Sequence, residues 1–372
     1  MRAEYPFLFN FAASYSGGGY KRLHEYARWF DSHGGASFAI HPNCEHLRGL
    51  FPGNRYFTVT ISHLRRLFDD SSYLEEIARS NGRPELYYAY GIPLYRHFGR
   101  INWFHLQNLL SLGRHTVPLS LFHRLKFRML GNRFRRGFGF ADVISAESHN
   151  SLELLDLGTD ERKFLATNGN DDELALLAAG IRPLPEELAT AVGTFSYKGL
   201  GDAFRIFQTA RERHPELKFT VIGEPRAIAP WLRRQPEVLI RGTLDRPAVM
   251  DILRRSRFYI SATHVENSYN GAAEGTFLAQ ESVISDIPAH RELLQNEPHE
   301  LIRIPGLDRP FFQVQREQLT GVNLKSWHTL ISEMIRRVGY DVSPDSGIGE
   351  LARDAANEPI PRDDPPRQQQ QG

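Results

Sequence analysis

The sequence predicts an α/β protein built from two doubly wound parallel sheets, and three observations carry that expectation. Short apolar runs alternate with stretches of helical periodicity along most of the chain, the signature of βαβ units. The alternation occurs in two sets, separated by a stretch over residues 168–187 in which a turn signal and two prolines interrupt it. The length of 372 residues suits two cores, at about 150 residues per domain.

In the first set the predicted strands are residues 6–12, 36–40, 56–61, 86–90, 101–105 and 141–146. The opening run YPFLFNFAASY follows Glu4 and precedes a glycine triplet, so it reads as a buried strand, not as a signal peptide. Leu23, Ala27 and Phe30 repeat at helical spacing between Tyr20 and Ser32. The second set places strands at 189–195, 217–222, 238–240, 257–262 and 282–285, with Leu200, Ala203, Phe204, Phe207 and Ala210 on one helix face. We expect a first domain over 1–170, a linker over 171–188 and a second domain over 189–322. Leu324, Trp327, Ile331, Met334, Ile335 and Val338 predict an amphipathic helix within 323–340 that crosses back to the first domain. The segment 341–372, poor in large apolar groups and rich in proline, charge and glutamine, is expected to be disordered.

Composition narrows the function. A lone cysteine, Cys44, excludes an internal disulfide and a thiolate zinc cluster and favours a reducing compartment, so a cytoplasmic protein is expected. No stretch reaches the roughly 18 apolar residues of a spanning helix. A formal net charge of +1 argues against nucleic acid as a partner. The charge is unevenly spread: no acidic residue lies between Glu85 and Asp142, whereas Arg96, Arg100, Arg114, Arg124, Lys126, Arg128, Arg133, Arg135 and Arg136 do. No HExxH, CxxC, GxSxG or Walker loop is present. Asp171 and Asp172 read as solvated turn residues, and neither a metal nor a cofactor is expected.

The stretch VENSYNGAAEG, residues 265–275, follows the apolar run RFYISAT at a strand-to-helix corner, where parallel sheets place ligands. A helix starting near Asn270 or Gly271 would offer free backbone N–H groups to a phosphate, and Gly271, Ala272 and Ala273 would let a ligand approach closely. Glu266 and Glu274 would flank that anion at different depths. Carboxylates repel a phosphate unless they bond hydroxyls, which together describes a nucleotide sugar. A solvated Glu266 and a Glu274 that merely favours the helix dipole fit the same spacing.

The order of these features resembles the family-four retaining glycosyltransferases of GT-B fold, over nearly all of residues 1–340 and most strongly in the second half. The Glu-x7-Glu spacing of Glu266 and Glu274, the continuation AQESVISDIPAHRELL, the segment VGTFSYKGLGDAFRIFQ with Lys198 and Gly199, and the strand and turn KFTVIGE carry the resemblance. It implies two Rossmann-like domains facing across a cleft and a nucleotide-sugar donor held by the second. By the same resemblance Lys198 would lie on the donor diphosphate, Glu274 on the ribose and Glu266 on the sugar. Ser268, Tyr269, Asn270 and Gly271 would line the sugar and phosphate with backbone N–H groups. Two departures stand out. The basic residue usual shortly before the lysine is missing from VGTFSYK, where Thr194 stands, leaving Arg241 or another arginine to replace it. Gln280, Glu281 and Ser282 replace a Gly-x-Pro.

In the first half, Gly17, Gly18 and Gly19 form a loop that would let donor phosphates or the acceptor approach backbone, or serve simply as a tight turn. His105 ends a predicted strand where the family often has a histidine near the reacting carbon, which assigns it a catalytic role beside Lys198 and Glu266. Residues 116–139 predict a basic amphipathic helix, with Leu121, Leu125 and Met129 interleaved by arginine and lysine. Such a helix suits an anionic membrane surface at the inner face or an acidic acceptor such as a lipid diphosphate. The expected activity is metal-independent transfer of a hexosyl group, with retention, to a glycan or lipid-linked acceptor in cell-envelope polysaccharide synthesis. A nucleotide-sugar epimerase and a catalytically silent binding subunit are the alternatives.

Overall fold

The structure, a computed structural model, describes residues 5–61, 72–112, 121–169, 174, 186–343 and 347–350. Asp171, Asp172, Pro183 and Pro185 of the expected linker, residues 116–120 of the basic span and residues 351–372 of the expected tail lie outside them.

The first sheet has seven strands in the order β3-β2-β1-β4-β5-β6-β7. They are β1 (Phe7–Asn10), β2 (Ser37–Ile40), β3 (Arg55–Thr58), β4 (Leu86–Tyr90), β5 (Ile101–His105), β6 (Val143–Ala146) and β7 (Lys163–Leu165), all parallel. The second sheet has seven in the order β10-β9-β8-β11-β12-β14-β13. Here β8 (Glu186–Val192), β9 (Lys218–Ile222), β10 (Val238–Gly242), β11 (Ser256–Ser261) and β12 (Glu281–Ser285) are parallel. The strands β13 (Glu300–Arg303) and β14 (Pro310–Gln315) close its edge antiparallel. In each sheet the chain order reverses beside the first strand, at β1/β4 and at β8/β11, the switch points where open α/β sheets hold ligands.

Apolar runs are continuous in the central strands because helices cover both faces: Phe7–Asn10 and Leu86–Tyr90 are buried at every position. The sequence reading missed β7, β13 and β14. β7 is three half-buried residues, too short to register as a run, and β13 and β14 mix charge, glutamine and a proline as an antiparallel edge allows.

Two boundaries differ from expectation. Residues 186–188, assigned to the linker, open β8; Glu186 and Glu187 look polar in sequence because they pair with Arg255 at 2.7 Å and Arg257 at 2.6 Å. Residues 340–343 and 347–350 form an antiparallel ribbon, which begins at the last residue of the expected helical segment and runs into the stretch, from 341, that was read as disordered.

The helix Trp327–Arg337 packs on the first domain. Trp327, Leu330, Ile331, Met334 and Ile335 share a core with Phe7, Phe9, Tyr26 and Phe30 of β1 and the helix Gly17–Asp31. The Trp29 indole N–H donates to His328 Nδ1 at 3.1 Å.

The basic span forms the helix Leu121–Gly137. Its second half is pressed onto the domain: Leu130 and Phe134 are buried, and a Cβ on Gly131 would stand 2.0 Å from the Ser111 carbonyl oxygen. Its first half stands off. Leu121 is 83% exposed, Phe122 71%, Leu125 58% and Met129 39%. At about 100° per residue these four fall on one stripe, roughly opposite the buried Leu130 and Phe134.

Candidate functional site

β11 ends at Ser261, and the loop that follows leads into the helix Asn270–Leu278. The N-cap residue Tyr269 makes no side-chain cap bond and Asn270 N–H donates to Ser268 Oγ at 3.3 Å, which leaves the next N–H groups, of Gly271 and Ala272, as the donors at the positive end of the helix dipole. Both polar atoms of the Asn270 amide are buried with no hydrogen-bond partner among the described residues, a cost that a ligand would remove. Gly271 is open: a Cβ there would meet only the Tyr259 hydroxyl, at 3.9 Å. One turn on, the same helix lies flat on β11, since a Cβ on Gly275 would fall 2.2 Å from the Tyr259 ring.

Lys198 reaches this corner through a turn that only glycine permits. After the short 3-10 turn Ser196–Lys198, Gly199 takes the left-handed conformation at φ 64°, and a Cβ on it would lie 2.1 Å from the Ala262 carbonyl oxygen. The turn is tied to the glutamate loop by His264 N–H donating to Tyr197 O at 2.8 Å. Lys198 Nζ thereby donates to Glu266 Oε1. Burial pulls the ammonium down, but the Glu266 carboxylate outweighs it and holds Lys198 above its ordinary value. Lys198 and Glu266 keep 22% and 21% of their side chains exposed, so the pair faces the crevice and remains open to exchange.

Glu274 sits deeper and is met by two cations on one oxygen. Lys21 Nζ donates to Oε1 at 2.9 Å from the first domain, and Arg246 Nη2 donates to it at 3.1 Å from the start of the helix Arg246–Arg255. Burial raises this carboxyl, and Lys21 and Arg246 more than reverse the effect, leaving it below the usual range. The Tyr259 hydroxyl under Gly271 is pushed up to about 12 by burial, with Lys198 opposing and Glu266 and Glu274 adding. Lys198 and Glu266 are thus bonded to each other, and Tyr259, which lies beneath Gly271 and Gly275 of the helix that carries Glu274, feels the charge of all three.

Arg241 does not join them, being exposed on the edge strand β10. Thr194 is buried against Gly223. Lys21 and Arg246 are the basic groups that reach Glu274, and a further arginine, Arg309, lies behind the lysine turn, donating to Thr263 O at 2.8 Å and Asp202 Oδ2 at 3.2 Å. His290, fully buried on the short helix Pro288–Leu293, holds Ser285 O at 2.7 Å through Nδ1. Burial takes it down to about 4 against the Ser285 carbonyl and Glu266, so it is a neutral neighbour of the pair.

Gly17 opens the helix Gly17–Asp31 at φ 60° and, like Gly18, is exposed with nothing within 4 Å of a built Cβ. Gly19 is buried against Ser14 and Gln107. This glycine loop is therefore joined to Glu274 through Lys21, two residues beyond it.

The catalytic contact expected of His105 is not there. His105 is completely buried, stacked on Tyr90 with centroids 5.0 Å apart, its Nδ1 2.8 Å from Ser145 Oγ and its Nε2 3.4 Å from Glu147 Oε1. Burial and Arg22 lower it to about 4, against Glu147, so the ring is neutral. The strand end was legible in sequence, but not the inward direction of the ring. The functional group it supports is Glu147, which the sequence reading missed. Glu147 Oε1 accepts from the Tyr90 hydroxyl at 2.9 Å and lies 3.5 Å from Arg22, and Oε2 accepts from Asn267 at 2.9 Å. Burial raises its carboxyl; His105 and Arg22 bring it below the usual range.

Asn267 lies between Glu266 and Ser268, so Glu147 fastens the glutamate loop from the other domain. Two more bonds help: Ser151 Oγ donates to Asn267 O at 3.2 Å, and Asn168 Nδ2 donates to Ser268 Oγ at 2.7 Å. The Ser268 hydroxyl is thus engaged, and the buried Tyr269 side chain points to Asn323 O at 3.3 Å, leaving residues 268–271 to offer backbone and the Asn270 amide. Among the described residues no group of three or more histidine, cysteine, aspartate or glutamate side chains could hold a metal, and no helix is long and apolar enough to cross a membrane.

No protein-family model matches the sequence, and no curated protein matches it. Solved structures do. Sucrose-phosphate synthase from Thermosynechococcus elongatus superposes with a TM-score of 0.53 at 12% identity, over 73% of this chain and 79% of that one. An OtsA apo structure gives 0.50 at 12%, over 78% and 86%. A glycosyltransferase from Rickettsia africae ESF-5 gives 0.50 at 14%, over 78% and 82%. Its two facing Rossmann-like domains, built on two seven-stranded sheets, give this chain the GT-B fold of glycosyltransferases.

Proposed function

We propose that the chain is a retaining, metal-independent glycosyltransferase that moves a hexosyl group from a nucleotide sugar to a hydroxyl of a glycan or lipid-linked acceptor, in polysaccharide synthesis at the cytoplasmic face of the envelope membrane. The observation that carries the reading is the convergence of Lys198, Glu266 and Glu274 on the start of the helix Asn270–Leu278, with the unpartnered Asn270 amide at its tip. The helix N–H groups and Lys198 would take the diphosphate, Glu274 the ribose and Glu266 the sugar hydroxyls. In the transfer the acceptor oxygen bonds to the anomeric carbon as the bond from that carbon to the phosphate oxygen breaks. The negative charge that builds on the terminal phosphate as its oxygen leaves the anomeric carbon is met by Lys198 and the dipole, and that oxygen, on the same face, takes up the acceptor proton. Glu147, His105 and Arg22 act at one remove, by holding the Asn267 segment.

The test is a panel of nucleotide sugars screened by thermal shift, followed by turnover of the tightest binder with and without glycan and polyprenyl-phosphate acceptors. Acceptor-dependent transfer with the anomeric configuration kept is expected. Binding by none of the panel overturns the donor site. Isomerised sugar without acceptor identifies an epimerase, and binding without turnover a silent subunit.

The acceptor side of this reading rests on the helix Leu121–Gly137. Its exposed stripe of Leu121, Phe122, Leu125 and Met129 is flanked in sequence by Arg124, Lys126 and Arg128, the pattern of a helix lying in an anionic bilayer surface. Flotation with phosphatidylglycerol vesicles is expected and should be lost in Leu121→Ser/Phe122→Ser/Leu125→Ser; equal flotation with neutral vesicles would dispose of the electrostatic part.

A further inference from the structure

The donor site has charge to spare on one side and too little on the other. Lys198, the cation expected to meet the diphosphate, has no basic partner in its own loop, where Thr194 faces inward. Glu274, expected to meet only hydroxyls, holds two cations on a single oxygen. One of them, Lys21, comes from the opposite domain, at the start of the second turn of the helix Gly17–Asp31 and three residues past Gly18, which with Gly17 stands open. With 11% of its side chain exposed, Lys21 is sheltered enough for its charge to count, and its four-carbon stem lets the ammonium swing from a fixed backbone.

Building on the donor assignment above, we propose that the diphosphate site spans both domains. Lys21 is its cation from the first domain, parked on Glu274 until a nucleotide arrives. Ribose hydroxyls that bond to Glu274 satisfy the carboxylate and compete with Lys21 for Oε1, while the diphosphate beside it offers the ammonium a stronger, doubly charged partner. Arg246 remains on Glu274, so the carboxylate keeps one counter-ion through the exchange. The consequence is directional. A nucleoside alone must displace Lys21 and gains nothing in return, whereas a nucleoside diphosphate converts the same displacement into a bond that ties the two domains together over the leaving group. Lys21 thus supplies the charge that the lysine loop lacks.

The experiment compares ADP, GDP and UDP, with the nucleoside of whichever binds tightest, on the full chain and on Lys21→Gln. The diphosphate is expected to weaken about tenfold or more, as loss of a charge-assisted bond implies, while the nucleoside binds equally well or more tightly. Lys21→Arg is expected to restore most of the diphosphate affinity. Equal weakening of both ligands, or a diphosphate that binds Lys21→Gln as well as wild type, overturns the proposal while leaving the donor site standing. Failure of wild type to bind any of the three diphosphates overturns the donor assignment and this inference with it. Should Lys21→Gln not fold, Glu274→Gln with inorganic pyrophosphate as the probe decides: freeing Lys21 is expected to tighten pyrophosphate several-fold, and unchanged affinity overturns the proposal.

Discussion

Two polar clusters sit within a few residues of one another on the glutamate loop, and they are built on opposite principles. Around Glu147 the chain has assembled Arg22, Tyr90, His105 and Asn267, all but Asn267 buried nearly completely, with every contact supplied by protein. Around Glu266 and Glu274 it has placed Lys198, Arg246 and Lys21 with about a tenth to a third of each side chain exposed. The buried cluster cannot lose a member without leaving a charge or a donor stranded in a dry interior. The exposed one can trade its internal partners for a ligand's. The difference teaches which charges hold this molecule in shape and which are free to take a ligand in exchange, and the two classes are separable by experiment.

The largest expected effect lies in the buried cluster. Arg22→Ala should lower the unfolding free energy by about 3–5 kcal/mol, since Glu147 loses its counter-ion in a dry site; chemical denaturation checks it, and a loss within 1 kcal/mol would place Arg22 in the exchangeable class. Next, Lys198→Ala should leave stability within about 1 kcal/mol, because its ion pair is partly solvated, while turnover of the donor falls on the order of 100-fold or more. A variant equally crippled in stability would erase the distinction. Gly199→Ala is intermediate: strain at φ 64° and the clash with Ala262 O should cost about 1–3 kcal/mol, and by moving Lys198 should weaken nucleotide binding as well. A stable variant with native affinity would show that the turn can relax.

The smallest effect is a pH dependence specific to the buried class. His105 and His290 both titrate near 4 in the folded protein, well under an ordinary histidine. Depressed histidines bind protons more readily in the unfolded chain, so the stability they contribute is present above about pH 6.5 and is lost as the pH falls from there towards 4. His105→Gln, in the setting of Tyr90, Ser145, Arg22 and Glu147, should flatten the stability slope within that window. Below that window the slope should steepen less sharply as well, because His105 is one of the groups that hold the Glu147 carboxyl under its usual range. An unaltered slope between pH 4 and 6.5 would mean that the ring gains protons as freely folded as unfolded.

The exposed cluster was the more legible of the two. Glu266 and Glu274 drew notice from their place at a strand-to-helix corner, where a solvated reading fitted equally well, and it was the resemblance to the GT-B glycosyltransferases that singled out Lys198 and joined it to them. Lys21, Arg246 and Glu147 are silent in sequence, since what makes each important is a contact with a residue far along the chain: 253 positions separate Lys21 from Glu274. His105 shows the same limit from the other side, for a strand end gives its position but not whether the ring turns out to the cleft or in beneath it. Both sheets were foreseen through their apolar central strands. Their edges were not, because β7 is short and β13 and β14 are as polar as loops.

The helix Trp327–Arg337 completes the core under β1, yet it follows the whole second domain in the chain. On the ribosome, therefore, the aromatic floor formed by Phe7, Tyr26 and Phe30 stays uncovered while nearly 300 later residues are made, and the half of the protein synthesised first is the half that finishes folding last.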